Sequence, residues 1–167
     1  LRSLRVAGAR ILTVGIDGEG IDVDELAELL RQRRAAGEPL PKLLYTIPTF
    51  GNPSGATMSL ARRLRLLEIA VEYGLIVLED DPYGALRFHG ESIDALHALA
   101  ARVPGAEHLV IHFGSFSKII APGLRLGFMV SPAPVRAASL IARQLTDLSS
   151  AGWIQLTIAR YVTSGRL

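Results

Sequence analysis

The 167-residue chain contains no cysteine, which excludes a disulfide framework, a thiolate nucleophile and a cysteine-ligated metal site. Lysine is almost as rare, since only Lys42 and Lys118 are lysines among the 18 basic residues. A reaction in which a neutral amine attacks a carbonyl group requires lysine, because a guanidinium group stays charged. Such a reaction therefore has two candidate side chains here. We expect no bound metal.

Long apolar runs are also missing. None approaches the roughly 18 residues that a membrane span requires, so we expect no membrane partner. Hydrophobic residues make up 49% of the chain and charged residues 20%, which excludes general disorder and favours one folded domain. The net charge is only +2. The basic clusters Arg31/Arg33/Arg34 and Arg62/Arg63/Arg65 lie within helical patterns, and we interpret both as solvated helix faces rather than as a nucleic-acid surface.

Short apolar runs alternate with amphipathic stretches along the chain. The apolar runs predict strands at residues 43–45, 75–78, 109–111 and 128–130, with 11–14 as a fifth candidate. Asp22 and Ser59 are the expected N-caps of two helices, because leucines at helical spacing follow each of them. Further helices are expected at 95–101 and 134–148. This alternation predicts an α/β fold, with a mostly parallel sheet and helices on both faces.

Polar and basic residues cluster where the predicted strands end, which is where an open α/β sheet binds its ligands. Lys118, flanked by hydroxyl side chains, follows the strand that ends near Phe113. Each cluster taken alone is also consistent with an ordinary surface turn or connection. The clusters are Pro48–Gly55, Glu79-Asp80-Asp81-Pro82-Tyr83, Gly114-Ser115-Phe116-Ser117-Lys118 and Pro122–Gly127.

Taken together, these clusters resemble the class I/II aminotransferases, which are pyridoxal-phosphate enzymes of fold type I. The resemblance extends from about Leu1 to the end of the chain and is greatest to the aminoadipate/kynurenine aminotransferase branch. It is also close to the aminotransferase-like effector domains of certain bacterial transcription regulators. The matching motifs are Asn52-Pro53-Ser54-Gly55, Asp80-Asp81-Pro82-Tyr83, Ser115-Phe116-Ser117-Lys118 and Arg125-Leu126-Gly127, in the family's order.

The resemblance implies a catalytic set made of Lys118, Asp80 and Tyr83. Lys118 would form the Schiff base with the cofactor, pyridoxal 5'-phosphate, and would then serve as the general base. Asp80 would pair with the pyridine nitrogen and keep it protonated, so that the ring can accept electrons. Asn52 and Tyr83 would both hydrogen-bond the phenolic oxygen of the ring.

The resemblance also implies a phosphate site built from Ser115, Ser117 and Arg125, with the arginine supplying a charge-assisted fork. Glu79 and Asp81 flank the predicted pyridine partner, and we interpret both as structural or solvated carboxylates. His112, on the strand that leads to the lysine, is interpreted as a packed histidine rather than a catalyst.

The chain departs from the family in what is missing. An upstream phosphate loop, an aromatic residue that stacks on the pyridine ring, and a downstream small domain with a substrate-binding arginine have no counterpart. The sequence begins without an initiator methionine or the layout of a signal peptide. We expect residues 1–148 to be part of a cofactor-binding large domain in a longer polypeptide. Residues 149–167 would form a helix leading toward the small domain, and these 167 residues alone should be inactive.

The complete protein is expected to transfer an amino group between an amino acid and a 2-oxo acid, as a cytoplasmic homodimer. Two alternatives stay open. The first is a cofactor-binding effector domain of a transcription regulator, which a winged-helix segment upstream of Leu1 would favour. The second is another fold type I enzyme, such as a lyase or a decarboxylase. A product assay distinguishes a lyase or decarboxylase from an aminotransferase, because only transamination consumes a 2-oxo acid.

Overall fold

The computed structural model describes residues 2–165 and 167. Six strands and seven helices follow one another along this part of the chain. The strands are β1 Ile16–Asp17, β2 Gly20–Ile21, β3 Leu43–Thr46, β4 Ile76–Asp81, β5 Val110–Ser115 and β6 Gly127–Val130. The helices are α1 Arg2–Val6, α2 Val23–Ala35, α3 Leu60–Tyr73, α4 Leu96–Leu99, α5 Phe116–Ile119, α6 Ala133–Thr146 and α7 Gly152–Thr163. Short 3-10 turns occupy residues 84–86, 100–102 and 122–124.

A four-stranded sheet with the order β3-β4-β5-β6 forms the centre of the fold. The first three strands are parallel and β6 is antiparallel to β5, which confirms the predicted α/β class and the mostly parallel sheet. The strand predicted at residues 11–14 is wrong: this segment has no regular secondary structure, and a small hairpin of β1 and β2 follows it. Val14 packs against the hydrophobic core, so the apolar run reflects packing rather than strand pairing.

Both predicted N-caps are confirmed. The carboxylate of Asp22 accepts hydrogen bonds from the backbone N–H groups of Asp24 and Glu25 at 3.0 and 2.9 Å, and the Ser59 hydroxyl caps α3. The Glu25 carboxylate accepts from the backbone N–H of Gly15 at 2.8 Å, which ties the start of α2 to the preceding segment. Because Gly74 adopts a φ of 66°, it ends α3 in the left-handed conformation and allows the chain to enter β4.

The hydrophobic core lies between one face of the sheet and the helices α2, α3 and α4. Its buried members include Leu26, Leu30, Leu66, Leu67, Ile69, Val77, Leu96, Leu99 and Val110. On the opposite face of β3, Leu43 and Tyr45 are 46% and 38% exposed, so the described helices cover this face incompletely. No helix in the described part of the chain is long and apolar enough to cross a membrane.

Candidate active site

The carboxyl ends of β4 and β5 lie side by side at one edge of the sheet. In the parallel register, Asp80 pairs with Phe113 and Asp81 pairs with Gly114, so the two strands end together. Helix α5, which carries Lys118, contacts both the 84–86 turn and the 122–124 turn. The structure therefore brings together the segments that follow β4 and β5 and the segment that precedes β6.

The three consecutive acidic residues at the end of β4 have different environments, because side chains alternate between the faces of a strand. Asp80 points to the open face, where its Oδ2 accepts a hydrogen bond from the Tyr45 hydroxyl at 2.5 Å. The Glu79 side chain is completely buried on the core face. Asp81 accepts a 2.9 Å hydrogen bond from the backbone N–H of Gly84, and its burial raises the pKa of its carboxyl. Asp80 is thus the member of the triplet that faces the open side of the sheet.

Glu79 joins three secondary-structure elements behind the candidate site. Its carboxylate accepts hydrogen bonds from the backbone N–H groups of Leu96 and His97 at the start of α4, at 2.6 and 3.0 Å. It also bonds Nδ1 of His112 on β5 at 2.9 Å, and this hydrogen bond raises the pKa of His112. Both residues have the structural environment that the sequence predicted for them.

Asn52 lies in a loop between β3 and α3 that is closed by backbone hydrogen bonds. The backbone N–H of Met58 donates to the Pro48 carbonyl at 2.8 Å, and that of Gly51 donates to the Ala56 carbonyl at 2.8 Å. The Asn52 side chain is exposed, and the Asn52–Pro53 peptide bond is cis. The two ends of the loop are therefore joined while Asn52 lies toward its tip.

Arg63 holds this loop from inside the protein. Its side chain is fully buried, and its guanidinium donates to the carbonyls of Met58, Pro48 and Asp94 at 3.0–3.1 Å. It also donates to the Thr49 hydroxyl at 2.9 Å. The interpretation of all three arginines at 62–65 as a solvated helix face is wrong for Arg63, because a leucine-rich helix segment can bury an arginine when enough carbonyls surround it.

Lys118 lies on α5, a helix of four residues that begins directly after β5. The Ser115 hydroxyl caps this helix by accepting from the backbone N–H of Ser117 at 3.2 Å, which leaves the hydroxyl hydrogen of Ser115 available for another acceptor. Tyr83 is half-buried at the start of the 84–86 turn that α5 contacts. The lysine side chain is exposed at this edge.

Arg125 occupies a strained position just before β6. Its φ of 48° lies in the left-handed region, which costs about 1–2 kcal/mol for a residue with a Cβ atom. Strain of this kind persists only where the surrounding structure fixes the backbone. The 122–124 turn precedes it, and α5 contacts that turn.

Gly114 makes room for an aromatic group beside the site. A Cβ atom at this position would overlap the ring of Phe128, its partner on β6. The Phe128 ring in turn packs against the rings of Phe116 and His112, with centroid separations of 5.6 and 6.0 Å. The close approach of these rings fixes the junction between β5 and α5.

Several polar groups at this edge have no partner within the described residues. The Lys118 ammonium, the Arg125 guanidinium, the Asn52 amide and the Tyr83 hydroxyl make no hydrogen bond or ion pair in residues 2–165 and 167. Two cations and two neutral polar groups without partners at this edge suit an anionic ligand with further polar substituents.

A cavity of about 530 Å³ borders this edge on the open face. Tyr45 and Asn52 contribute to its lining together with apolar residues such as Leu12, Leu43 and Leu78. Asp80, Tyr83 and Lys118 are not among its lining residues, so the candidate site is an open edge beside the cavity rather than part of its interior. The donor chemistry, not the cavity, locates the site.

Sequence reasoning missed Tyr45 and misinterpreted Arg63. Tyr45 lies on β3, and its contact with Asp80 depends on the β3–β4 register, in which Tyr45 pairs with Leu78. A register between two strands is not visible in either strand alone. Arg63 had one available signal, since it falls among leucines that occupy the buried face of α3.

The fold and the site together define an incomplete large domain of fold type I, as the resemblance predicted. The chain belongs to the aminotransferase class I and II family, whose model matches residues 1–165. It is 38% identical to aromatic-amino-acid aminotransferase 1 of Thermococcus litoralis, over 100% of this chain and 39% of that protein. It is also 38% identical to 2-aminoadipate transaminase of Thermus thermophilus, over 99% of this chain and 40% of that protein.

Solved structures agree with the sequence relatives. Kynurenine aminotransferase from Pyrococcus horikoshii, crystallised in complex with PMP, matches at a TM-score of 0.86 and 42% identity, covering 93% of this chain and 37% of that one. The predicted nearness to the aminoadipate/kynurenine branch is confirmed. An uncharacterized HTH-type transcriptional regulator of Bacillus subtilis is 32% identical over 99% of this chain and 32% of its own length. The chain spans about two fifths of the curated aminotransferases that it matches.

Proposed function

We propose that the complete gene product containing this chain is a pyridoxal-phosphate-dependent aminotransferase, acting on an amino acid and a 2-oxo acid. One observation carries the proposal: Asp80 lies at the end of β4, Lys118 follows the neighbouring parallel strand β5, and the lysine amine lacks a partner within the described residues. Membership of the aminotransferase class I and II family supports it.

The residues at this edge fit the chemical groups of pyridoxal 5'-phosphate. Asp80 would accept a hydrogen bond from the N–H of the pyridine ring, since its carboxylate faces the open side of the sheet. Asn52 and Tyr83 would donate to the phenolic oxygen. The phosphate would be held by three groups that suit a dianion, namely the Ser115 and Ser117 hydroxyls and the Arg125 guanidinium.

When bound, the cofactor supplies an electron sink for the negative charge that develops at the α-carbon of the amino acid. Lys118 would hold the cofactor covalently through Nζ, and once a substrate amine had displaced it, the freed Nζ would be placed to accept the proton of the substrate α-carbon. Asp80 would keep a proton on the pyridine nitrogen, and Tyr83 and Asn52 would hydrogen-bond the phenolic oxygen.

The domain organisation and the oligomeric state of the complete protein are also proposed. Residues 1–148 would belong to the large domain, and 149–167 would lead toward a small domain that completes the substrate site. We also propose a cytoplasmic homodimer, on the model of the family. Light scattering of the purified gene product and cell fractionation test these two points.

Chemical labelling of the Schiff-base lysine is the central test. Borohydride reduction of the protein loaded with cofactor, followed by peptide mapping, should place the label on Lys118. Lys118→Ala should lose both the label and the consumption of 2-oxoglutarate with a panel of amino acids, whereas Lys42→Ala should keep both. Label on Lys42 or on any other lysine instead of Lys118, or product formed without consumption of a 2-oxo acid, would overturn the proposal.

A regulator's effector domain is the second candidate, and the similarity to the Bacillus subtilis HTH-type regulator favours it. Such a protein would bind the cofactor through the same residues but would have a DNA-binding segment. The complete gene sequence and a DNA-binding assay decide between the two. Specific DNA binding together with labelled Lys118 and no turnover would favour the regulator.

A further inference from the structure

The side chains of Tyr45 and Asp80 meet across two neighbouring strands on the open face of the sheet. Tyr45 on β3 pairs with Leu78 on β4, and Asp80 lies two residues further along on the same face. This diagonal arrangement is within reach of a long aromatic side chain. The Tyr45 hydroxyl donates to Oδ2 of Asp80 at 2.5 Å.

The hydrogen bond occupies one of the two carboxylate oxygens and leaves Oδ1 for another donor. A hydrogen bond from a neutral hydroxyl to a carboxylate is charge-assisted and therefore stronger than a neutral pair. Burial and the bond to Asp80 both raise the pKa of Tyr45, so the phenol stays protonated and remains a donor at physiological pH. Asp80 is thus restrained from rotating about its own side-chain bonds.

The neighbouring carboxylates have other restraints. Glu79 is fixed by the start of α4 and by His112, and Asp81 is fixed by the backbone N–H of Gly84. Within the described residues, the Tyr45 hydroxyl is the side-chain donor that restrains Asp80. Asp80 therefore depends on Tyr45 in a way that its neighbours do not.

We infer that Tyr45 is a positioning residue, which aims the Asp80 carboxylate at the pyridine nitrogen of the bound cofactor. The inference rests on the proposed function, because it assigns Tyr45 a role toward a group that Asp80 would bind. It predicts that loss of the hydroxyl weakens cofactor binding only while the Asp80 carboxylate is present.

The test uses Tyr45→Phe in the complete gene product, with Tyr73→Phe as the matched control. Tyr73 lies on α3, where its ring packs under the Arg34 guanidinium, and its change removes the same hydroxyl away from the site. Each apoprotein is titrated with pyridoxal phosphate, and the visible absorbance gives Kd. Both variants are then made in an Asp80→Ala background, which removes the acceptor of the Tyr45 hydroxyl, and thermal unfolding of every apoprotein checks the fold.

Tyr45→Phe should raise Kd roughly five- to tenfold, which lies within the range of coupling between contacting residues. It should have no further effect in the Asp80→Ala background, and Tyr73→Phe should leave Kd unchanged in both backgrounds. If the parent protein binds cofactor and transaminates, the proposed function stands. In that case an unchanged Kd in Tyr45→Phe, or an equal effect in both backgrounds, overturns only the inference about Tyr45. A parent protein that does not bind cofactor removes the proposed function and this inference together.

Discussion

The buried carboxylate of Glu79 and the imidazole of His112 form a hydrogen bond of 2.9 Å across β4 and β5. The same carboxylate accepts hydrogen bonds from the first two backbone N–H groups of α4. One side chain therefore joins two strands and a helix directly behind Asp80. Because this pair lies on the core face, its contribution is to the stability of the site rather than to the chemistry.

This pair should make stability depend on pH. The hydrogen bond with Glu79 raises the pKa of His112 above the value in the unfolded chain, so the folded state binds the proton more tightly. The stabilising effect is complete below about pH 6.5, the ordinary histidine value, and is lost as the pH rises through the folded pKa. We expect His112→Gln to remove about 1 kcal/mol of pH-dependent stability. Urea unfolding of the complete gene product at several pH values measures this.

His89→Gln serves as the control for that experiment, because His89 is exposed in the loop between β4 and α4. The difference in unfolding free energy between the parent protein and His112→Gln should be larger at pH 6 than at pH 9. The same difference for His89→Gln should stay constant. A His112→Gln difference that grows with pH would contradict the assigned direction.

The alternation along β4 predicts unequal effects of two neighbouring substitutions. Asp80→Asn should reduce turnover at least about tenfold, since it removes a charged hydrogen bond worth about 1.5–3 kcal/mol. Asp81→Asn should have a smaller effect, because an amide oxygen can still accept from the backbone N–H of Gly84. Steady-state kcat of the two purified variants is the measurement. A greater loss in Asp81→Asn would mean that the wrong carboxylate faces the cofactor.

Removing the Arg63 guanidinium should destabilise the protein strongly. Arg63→Met would leave the carbonyls of Met58 and Asp94 without this donor inside the protein, and we expect a loss of about 3 kcal/mol or more. Arg65→Met is the control, because Arg65 is exposed and its ion pair with Glu68 is worth at most about 1 kcal/mol. Urea unfolding compares the two variants.

Limited proteolysis adds a local test of Arg63. Cleavage within residues 48–58 should become faster in Arg63→Met and in Arg63→Lys, because one ammonium group cannot reach the separate carbonyls that the guanidinium joins. Arg65→Met should be cut at the parent rate. Equal stability and equal cleavage in the Arg63 and Arg65 variants would show that the buried arginine does not hold the loop.

The sequence predicted the parts of the site that depend on local order. Asp80 was separated from Glu79 and Asp81 by the two-residue period of a strand, and the helix starts at Asp22 and Ser59 followed from capping chemistry. The aspartate, tyrosine and lysine segments were expected at one edge because parallel strands end together, and the structure brings them there. The roles assigned to these residues stay predictions.

The features that sequence reasoning missed depend on contacts between distant segments. The contact between Tyr45 and Asp80 joins residues 35 positions apart, and it requires the register of β3 on β4. The burial of Arg63 depends on carbonyls from two separate loops, of which the one at Asp94 lies 31 positions away. The apolar run at 11–14 was misread as a strand because periodicity alone cannot tell a strand from an irregular segment that packs on the core.

The close approach of the Phe128 ring to Gly114 limits which residues position 114 can accept. Every single-base change at the second position of a glycine codon introduces a residue with a Cβ atom, and such an atom would meet the ring. The Phe128 ring packs against Phe116, the first residue of the helix that carries Lys118, so moving the ring would disturb that contact. In a saturation mutagenesis library, substitutions at position 114 should therefore be depleted relative to those at Gly123, where a Cβ atom meets nothing, although Gly114 has no side chain and takes no part in the chemistry.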